Sequence, residues 1–181
     1  MDASGSVGSN WNVEQEFVTD LASEITISPS GGQASVTVFS TDAKLMIKFS
    51  DHQTFATFKD AVNALKHTRG TTHIDKALAV AYNDMFNATN GMREDVPKVL
   101  VFITDGVHYG KDFNYTEWGN LFRERQIKVI VVGIGKVDTA NLIKLVENES
   151  DMHTVSNFES LGTSFVNNIQ ICKGMLYTFG F

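Results

Sequence analysis

The chain has a single cysteine, Cys172. That excludes an internal disulfide, a zinc knuckle and a CxxC redox pair. Prolines number only two, and no low-complexity tract, internal repeat or Gly/Ser-rich linker divides the chain. No apolar run approaches the ~20 residues that a membrane-spanning helix needs. A basic start followed by an apolar stretch, the mark of a signal peptide, is also missing. Basic residues are the minority, with 15 Lys and Arg against 21 Asp and Glu and a net charge of -6. This argues against non-specific nucleic-acid binding, which needs clustered positive charge, and leaves cation binding open. What remains is 181 residues with 43% hydrophobic content, enough for one domain with a sizeable core.

Apolar periodicity alternates along the chain. Residues 11–25 place Val13, Phe17, Leu21 and Ile25 on one face of a helix. Residues 34–40 read as a strand, 41–44 as a hairpin-like connection, and 45–49 as a shorter strand. Helices are predicted at 55–65 and 74–86, a strand at 96–104, a helix at 115–125 and a strand at 127–134. A further helix, a short strand at 152–155 and a helix at 158–171 close the pattern. The runs around residues 99–103 and 127–134 are continuously apolar, as in strands buried on both faces. The order predicts an α/β fold: a doubly wound, mostly parallel sheet with one antiparallel edge strand and helices on both faces. Such sheets bind ligands outside the carboxyl ends of their strands.

Oxygen-bearing residues gather where those ends should lie. Asp2-Ala3-Ser4-Gly5-Ser6 alternates a carboxylate and two hydroxyls through a turn. Gly70-Thr71-Thr72-His73 precedes a helix, where threonine is usually an N-cap. Asp105 closes the buried strand in Ile103-Thr104-Asp105-Gly106, where Asp-Gly is usually a turn. Each segment alone is ordinary. Together they offer hard oxygen ligands of the kind that Mg²⁺ takes while keeping positions open for water or a partner's carboxylate.

These three segments, in this order, resemble the metal-ion-dependent adhesion site of von Willebrand factor A domains, also called integrin I domains. Val129-Ile130-Val131-Val132-Gly133-Ile134-Gly135 resembles the family's following strand and glycine turn, so the likeness covers nearly the whole chain. It implies a Rossmann-like fold and a site for Mg²⁺, Mn²⁺ or Ca²⁺ at Asp2, Ser4, Ser6, Thr72 and Asp105. Hydroxyls replace water without cancelling the ion's charge, so the ion stays electrophilic and recruits a carboxylate. The implied function is a non-enzymatic, secreted adhesion or matrix module. Its partner is an acidic side chain of an extracellular matrix protein, collagen among the candidates, with a neighbouring A domain as another contact. The alternatives are a structural matrix domain with no metal-dependent ligand, or an intracellular A domain of a multiprotein complex. No general base or nucleophile is evident beside the ion, which argues against a hydrolase.

His73, His108 and Tyr109 are expected on the rim, since hard Mg²⁺ prefers oxygen to imidazole. Three N-x-S/T sequons, at Asn87, Asn114 and Asn148, are glycosylation candidates if the chain is secreted.

The family pattern is departed from at two places. A typical A domain has an apolar strand ahead of its first metal loop, where this sequence has Met1. Residues 175–181, Met-Leu-Tyr-Thr-Phe-Gly-Phe, read as a strand that could fill that slot, in the same chain or from a neighbouring copy. Residues 107–114 are too short for the extra helix of collagen-binding integrin domains. By the same resemblance, Cys172 lies where extracellular A domains carry a terminal cysteine, and the last helix would shift to tune affinity.

Overall fold

The computed structural model describes residues 1–110, 113–162 and 166. Cys172, the segment 175–181 and most of the last expected helix lie outside the described residues.

Strand β1 (Val36–Phe39) pairs antiparallel with β2 (Ala43–Ile47). Strands β3 (Lys98–Thr104), β4 (Ile127–Ile134) and β5 (Met152–Val155) form a parallel sheet in the order β3-β4-β5. The α/β architecture is the expected one; among the described residues its strands fall into a pair and a triplet. Residues 1–3 join the pair at its end: the Met1 amine donates to the Thr37 carbonyl at 3.1 Å, and Phe39 N–H donates to the Met1 carbonyl. Ala3 N–H returns a bond to the Phe39 carbonyl at 2.7 Å.

Alternation along the strands builds two cores. Ile103, Ile130, Val132 and Ile134 face one layer, with Trp11, Phe17 and Leu21 of α1 (Trp11–Ser23) and Phe58 and Val62 of α2 (Phe55–Asn63). Leu100, Phe102, Val129 and Val131 face the other layer. It contains Ile74, Ala77 and Leu78 of α3 (Ile74–Val80) and Phe122 of α4 (Tyr115–Glu124). Successive strand residues point to opposite faces, so a strand covered on both sides must be apolar throughout. This is the physical reason that β4 was legible as an unbroken run. A short helix, α5 (Thr139–Leu142), crosses between β4 and β5.

Three expectations need correction. The helix predicted at 74–86 passes into a π-turn at Ala81–Met85. The helix expected at 158–171 opens as a 3₁₀ turn at Phe158–Ser160, and Leu161 and Gly162 are not helical. Strand β2 starts at Ala43, earlier than the predicted 45, and ends at Ile47. In each case backbone hydrogen bonding, which side-chain periodicity does not report, sets the boundary.

No described helix is long and apolar enough to cross a membrane.

Candidate metal centre

The three oxygen-bearing loops meet at one edge. The loop after residues 1–3 and the loop before α3 are tied by Gly5 N–H donating to the Gly70 carbonyl at 2.9 Å. The first and third loops are joined by the Ser6 hydroxyl, which donates to Asp105 Oδ1 at 2.8 Å. The second and third are in direct contact: a Cβ added to Gly106 would lie 2.7 Å from Thr72 Oγ1. That glycine lets the two loops close on each other.

The five predicted positions are therefore neighbours. Asp2 is fully buried; its Oδ1 accepts from Ser4 N–H at 2.9 Å and its Oδ2 from the Thr104 hydroxyl at 2.6 Å. Ser4 Oγ and Ser6 Oγ are 3.1 Å apart. Thr72 does not cap α3, because the N-cap position falls to His73. Asp105 does not cap α4 either, since Asn114 takes that role through Glu117 N–H. The capping explanation for Thr72 thus fails here, while Asp105 and Gly106 do lie in a bend after β3. Burial pushes the Asp105 carboxyl up from its ordinary value, against the lowering effect of the Ser6 bond; the nearby Asp2 adds to the rise. A cation would reverse that balance, since it favours the ionised carboxylate.

The donors suit a small hard ion. Mg²⁺ holds oxygens at ~2.07 Å in an octahedron, so adjacent ligands stand about 2.9 Å apart. The Ser4–Ser6 and Ser6–Asp105 separations of 3.1 and 2.8 Å bracket that spacing. Among the described residues, no group of three or more His, Cys, Asp or Glu side chains is placed to hold a metal. The candidate rests on two carboxylates and three hydroxyls instead.

Several supporting residues were not singled out from the sequence. Thr104 holds Asp2. His67 Nε2 donates to the Ser4 carbonyl at 2.8 Å while its ring stacks on Trp11. Glu14 is fully buried beneath the first loop and accepts from Asp2 N–H at 2.9 Å. Only Thr104 carried a local signal, standing next to Asp105.

Burial pushes the Glu14 carboxyl up to about 8 from 4.5, despite the opposing attraction of the Met1 ammonium. The same burial pulls the ammonium below its ordinary value of 8.0. Because the folded carboxyl holds its proton more tightly, its contribution is fully present below pH 4.5 and is lost as pH rises through about 8. The ammonium works in the opposite sense, contributing above pH 8.0 and less as pH falls. Glu14→Gln should remove the falling limb and keep the rising one. Urea unfolding between pH 5 and pH 8 in EDTA should then show the variant gaining stability relative to the parent as pH rises. Parallel pH profiles would contradict this.

On the rim, His73 makes edge contacts with His108 and Tyr109, with ring centroids 6.2 and 5.5 Å apart. Asp75 Oδ1 lies 3.5 Å from His73 Nδ1 and 3.8 Å from His108 Nδ1. Tyr109 is 62% exposed and Val107 56%, so both stand proud of the site. Asn87, Asn114 and Asn148 are all exposed. The Asn87 and Asn114 side chains already cap the turns that follow them.

An α/β domain with helices on both faces and an oxygen-lined site at one sheet edge defines the class. The family model of the von Willebrand factor type A domain matches residues 1–168, and the chain belongs to that family. It is similar to von Willebrand factor A domain-containing protein 2 of Xenopus laevis, with 28% identity over 163 residues, covering 90% of this chain and 20% of the relative. The collagen alpha-1(XX) chain of Mus musculus is 28% identical over 166 residues, covering 90% of this chain and 12% of the collagen. The chain thus spans a fifth or less of the length of these two relatives. Integrin alpha-M of Mus musculus also matches, at 25% identity over 171 residues, covering 90% of this chain and 15% of the integrin. Among solved structures, proximal thread matrix protein 1 from the mussel byssus superposes with a TM-score of 0.87 at 20% identity, covering 93% of this chain and 45% of the other. Another structure of that protein, described as having a zinc-occupied MIDAS motif, gives a TM-score of 0.84 at 24% identity, covering 93% and 42%. This domain type therefore occurs in matrix and adhesion proteins.

Proposed function

We propose that the chain is an extracellular, non-enzymatic binding module. It holds a divalent cation on Asp2, Ser4, Ser6, Thr72 and Asp105 and uses that ion to capture a carboxylate of a matrix protein. The row of oxygens from Ser4 through Ser6 to Asp105, at 3.1 and 2.8 Å, carries the reading. Hard oxygen donors at this spacing suit a divalent cation such as Mg²⁺, Mn²⁺ or Ca²⁺. The mussel relative's zinc-occupied MIDAS motif supports a divalent ion at this place in the fold. The three hydroxyls fill coordination positions without cancelling the ion's charge, which leaves it electrophilic toward an anionic ligand. The exposed Tyr109 and Val107 flank the approach and would meet the partner around its acidic side chain.

The test is binding to immobilised matrix proteins, collagen among them, in Mg²⁺, in EDTA, and after Mg²⁺ is restored. Binding should be lost in EDTA and recovered on restoration. Equal binding in all three conditions would refute the metal bridge and favour a structural matrix domain.

A further inference from the structure

Gly5 separates the two hydroxyl-bearing residues of the first loop, Ser4 and Ser6. The peptide plane between Ser4 and Gly5 is rigid, but it can rotate as a body through ψ of Ser4 and φ of Gly5. Glycine accepts φ of either sign at no steric cost. Nothing within the loop's own sequence therefore fixes which way this carbonyl points.

The stretch from Leu65 to Gly70, between α2 and the second loop, grips that plane at both ends. His67 Nε2 donates to the Ser4 carbonyl at 2.8 Å. The Gly5 N–H donates to the Gly70 carbonyl at 2.9 Å. These two contacts fall on the carbonyl and the N–H of one peptide unit. The Thr68 hydroxyl adds a longer bond, 3.4 Å, to the Ala3 carbonyl. The gripping residues are themselves fixed. The His67 ring stacks on Trp11, with centroids 5.6 Å apart and planes inclined by 19°. Trp11 is buried, and its Nε1 donates to the Leu65 carbonyl at 3.2 Å. Gln15 Nε2 donates to the Val62 carbonyl at 2.6 Å, so the stack is anchored to the end of α2. Arg69 (φ 60°) and Gly70 (φ 98°) then pass through the left-handed region. A non-glycine residue is held at positive φ only where its surroundings over-determine it. At Gly70 a Cβ would also collide with Thr41 Oγ1.

We propose that residues 67–70 form a clamp on the Ser4–Gly5 peptide plane and that His67 is its positioning residue. With the plane held in one orientation, the Ser4 and Ser6 hydroxyls stay aligned to share one cation; with the plane free, Ser6 loses its alignment with Ser4 and Asp105. The inference rests on the metal site proposed above. The clamp acts through a donor and not through charge. A carbonyl only accepts, so Nε2 carries the proton, and a neutral imidazole suffices. Hydrogen bonds behind the ligands orient them in the same way at other metal sites. The gripping stretch also runs directly into Thr72, so one segment orients the first loop and delivers the ligand of the second.

Two substitutions separate the hydrogen bond from the packing. His67→Phe keeps a ring on Trp11 and removes the donor. His67→Gln gives up the ring and keeps an N–H that can reach the same carbonyl. Calorimetric titration with Mg²⁺ should show Kd raised about 10-fold or more in His67→Phe, and held within about 3-fold of the parent in His67→Gln. In EDTA, amide exchange read by NMR should be at least about 10-fold faster at Gly5 in His67→Phe, with the amides of β4 unchanged. Parental Kd and parental Gly5 exchange in His67→Phe would overturn the clamp. So would equal losses in both variants, or faster exchange throughout β4, since either would make His67 a packing residue only. A parent that takes up no Mg²⁺ would instead overturn the metal site, and the Gly5 exchange in EDTA would still decide the clamp.

Discussion

Asp105→Ala is expected to abolish the response to Mg²⁺ and leave the metal-free fold almost untouched. Asp105 is half-buried; its carboxylate accepts from the Ser6 hydroxyl, which still has Ser4 beside it, and from its own backbone N–H. Without a cation its carboxylate is held against desolvation and against the neighbouring Asp2, so its removal relieves as much as it costs. In EDTA the change should stay within about 0.5 kcal/mol, or roughly 2 °C of Tm. For the parent, Mg²⁺ at 100 times its Kd should add about 2.7 kcal/mol, which for a chain of this size raises Tm by about 5–10 °C. The variant should show no rise. Differential scanning fluorimetry with and without Mg²⁺ makes the measurement. A variant that keeps the parental shift would remove Asp105 from the site.

Asp2→Ala should fail in a different way, losing stability as well as the cation. Asp2 is fully buried and accepts from both Ser4 N–H and the Thr104 hydroxyl. Alanine would strand two donors next to Glu14, which already has one oxygen without a partner. Hydrogen bonds to a charged acceptor contribute about 1.5–3 kcal/mol each, so a loss of about 3 kcal/mol is expected in EDTA, or roughly 6–12 °C of Tm. That is a large share of the ~5–15 kcal/mol that holds a typical domain. Asn at the same position keeps one acceptor and should recover about half of it. Thermal and urea unfolding in EDTA would decide: an Asp2→Ala chain as stable as the parent would mean that these two bonds do not hold the loop. The contrast between two carboxylates of one candidate site follows from burial and from the donors that each one accepts.

The loops themselves were legible because each carries a local chemical signal. Asp2-Ala3-Ser4-Gly5-Ser6 alternates its oxygens, and Asp105 ends an apolar run next to a glycine. The apolar runs of β3 and β4 were equally plain, since burial on two faces leaves no polar position along a strand. The residues that support the loops were not legible. Thr104 and Asp2 are 102 positions apart, and His67 and Ser4 are 63 apart. Glu14 sits on a helix face where its neighbours suggest nothing unusual, and its raised carboxyl pKa arises from burial beneath a distant segment.

By itself, then, the sequence determined the alternation of helices and strands, the two-faced core and the three oxygen-bearing turns, all of them set by the order of neighbouring residues. Only the tertiary structure decided that Ser6 meets Asp105 across 99 positions at 2.8 Å. It alone made Gly106 the point where Thr72 closes on the third loop. Those outcomes depend on how strands far apart in the chain are laid side by side, and no local pattern encodes that distance.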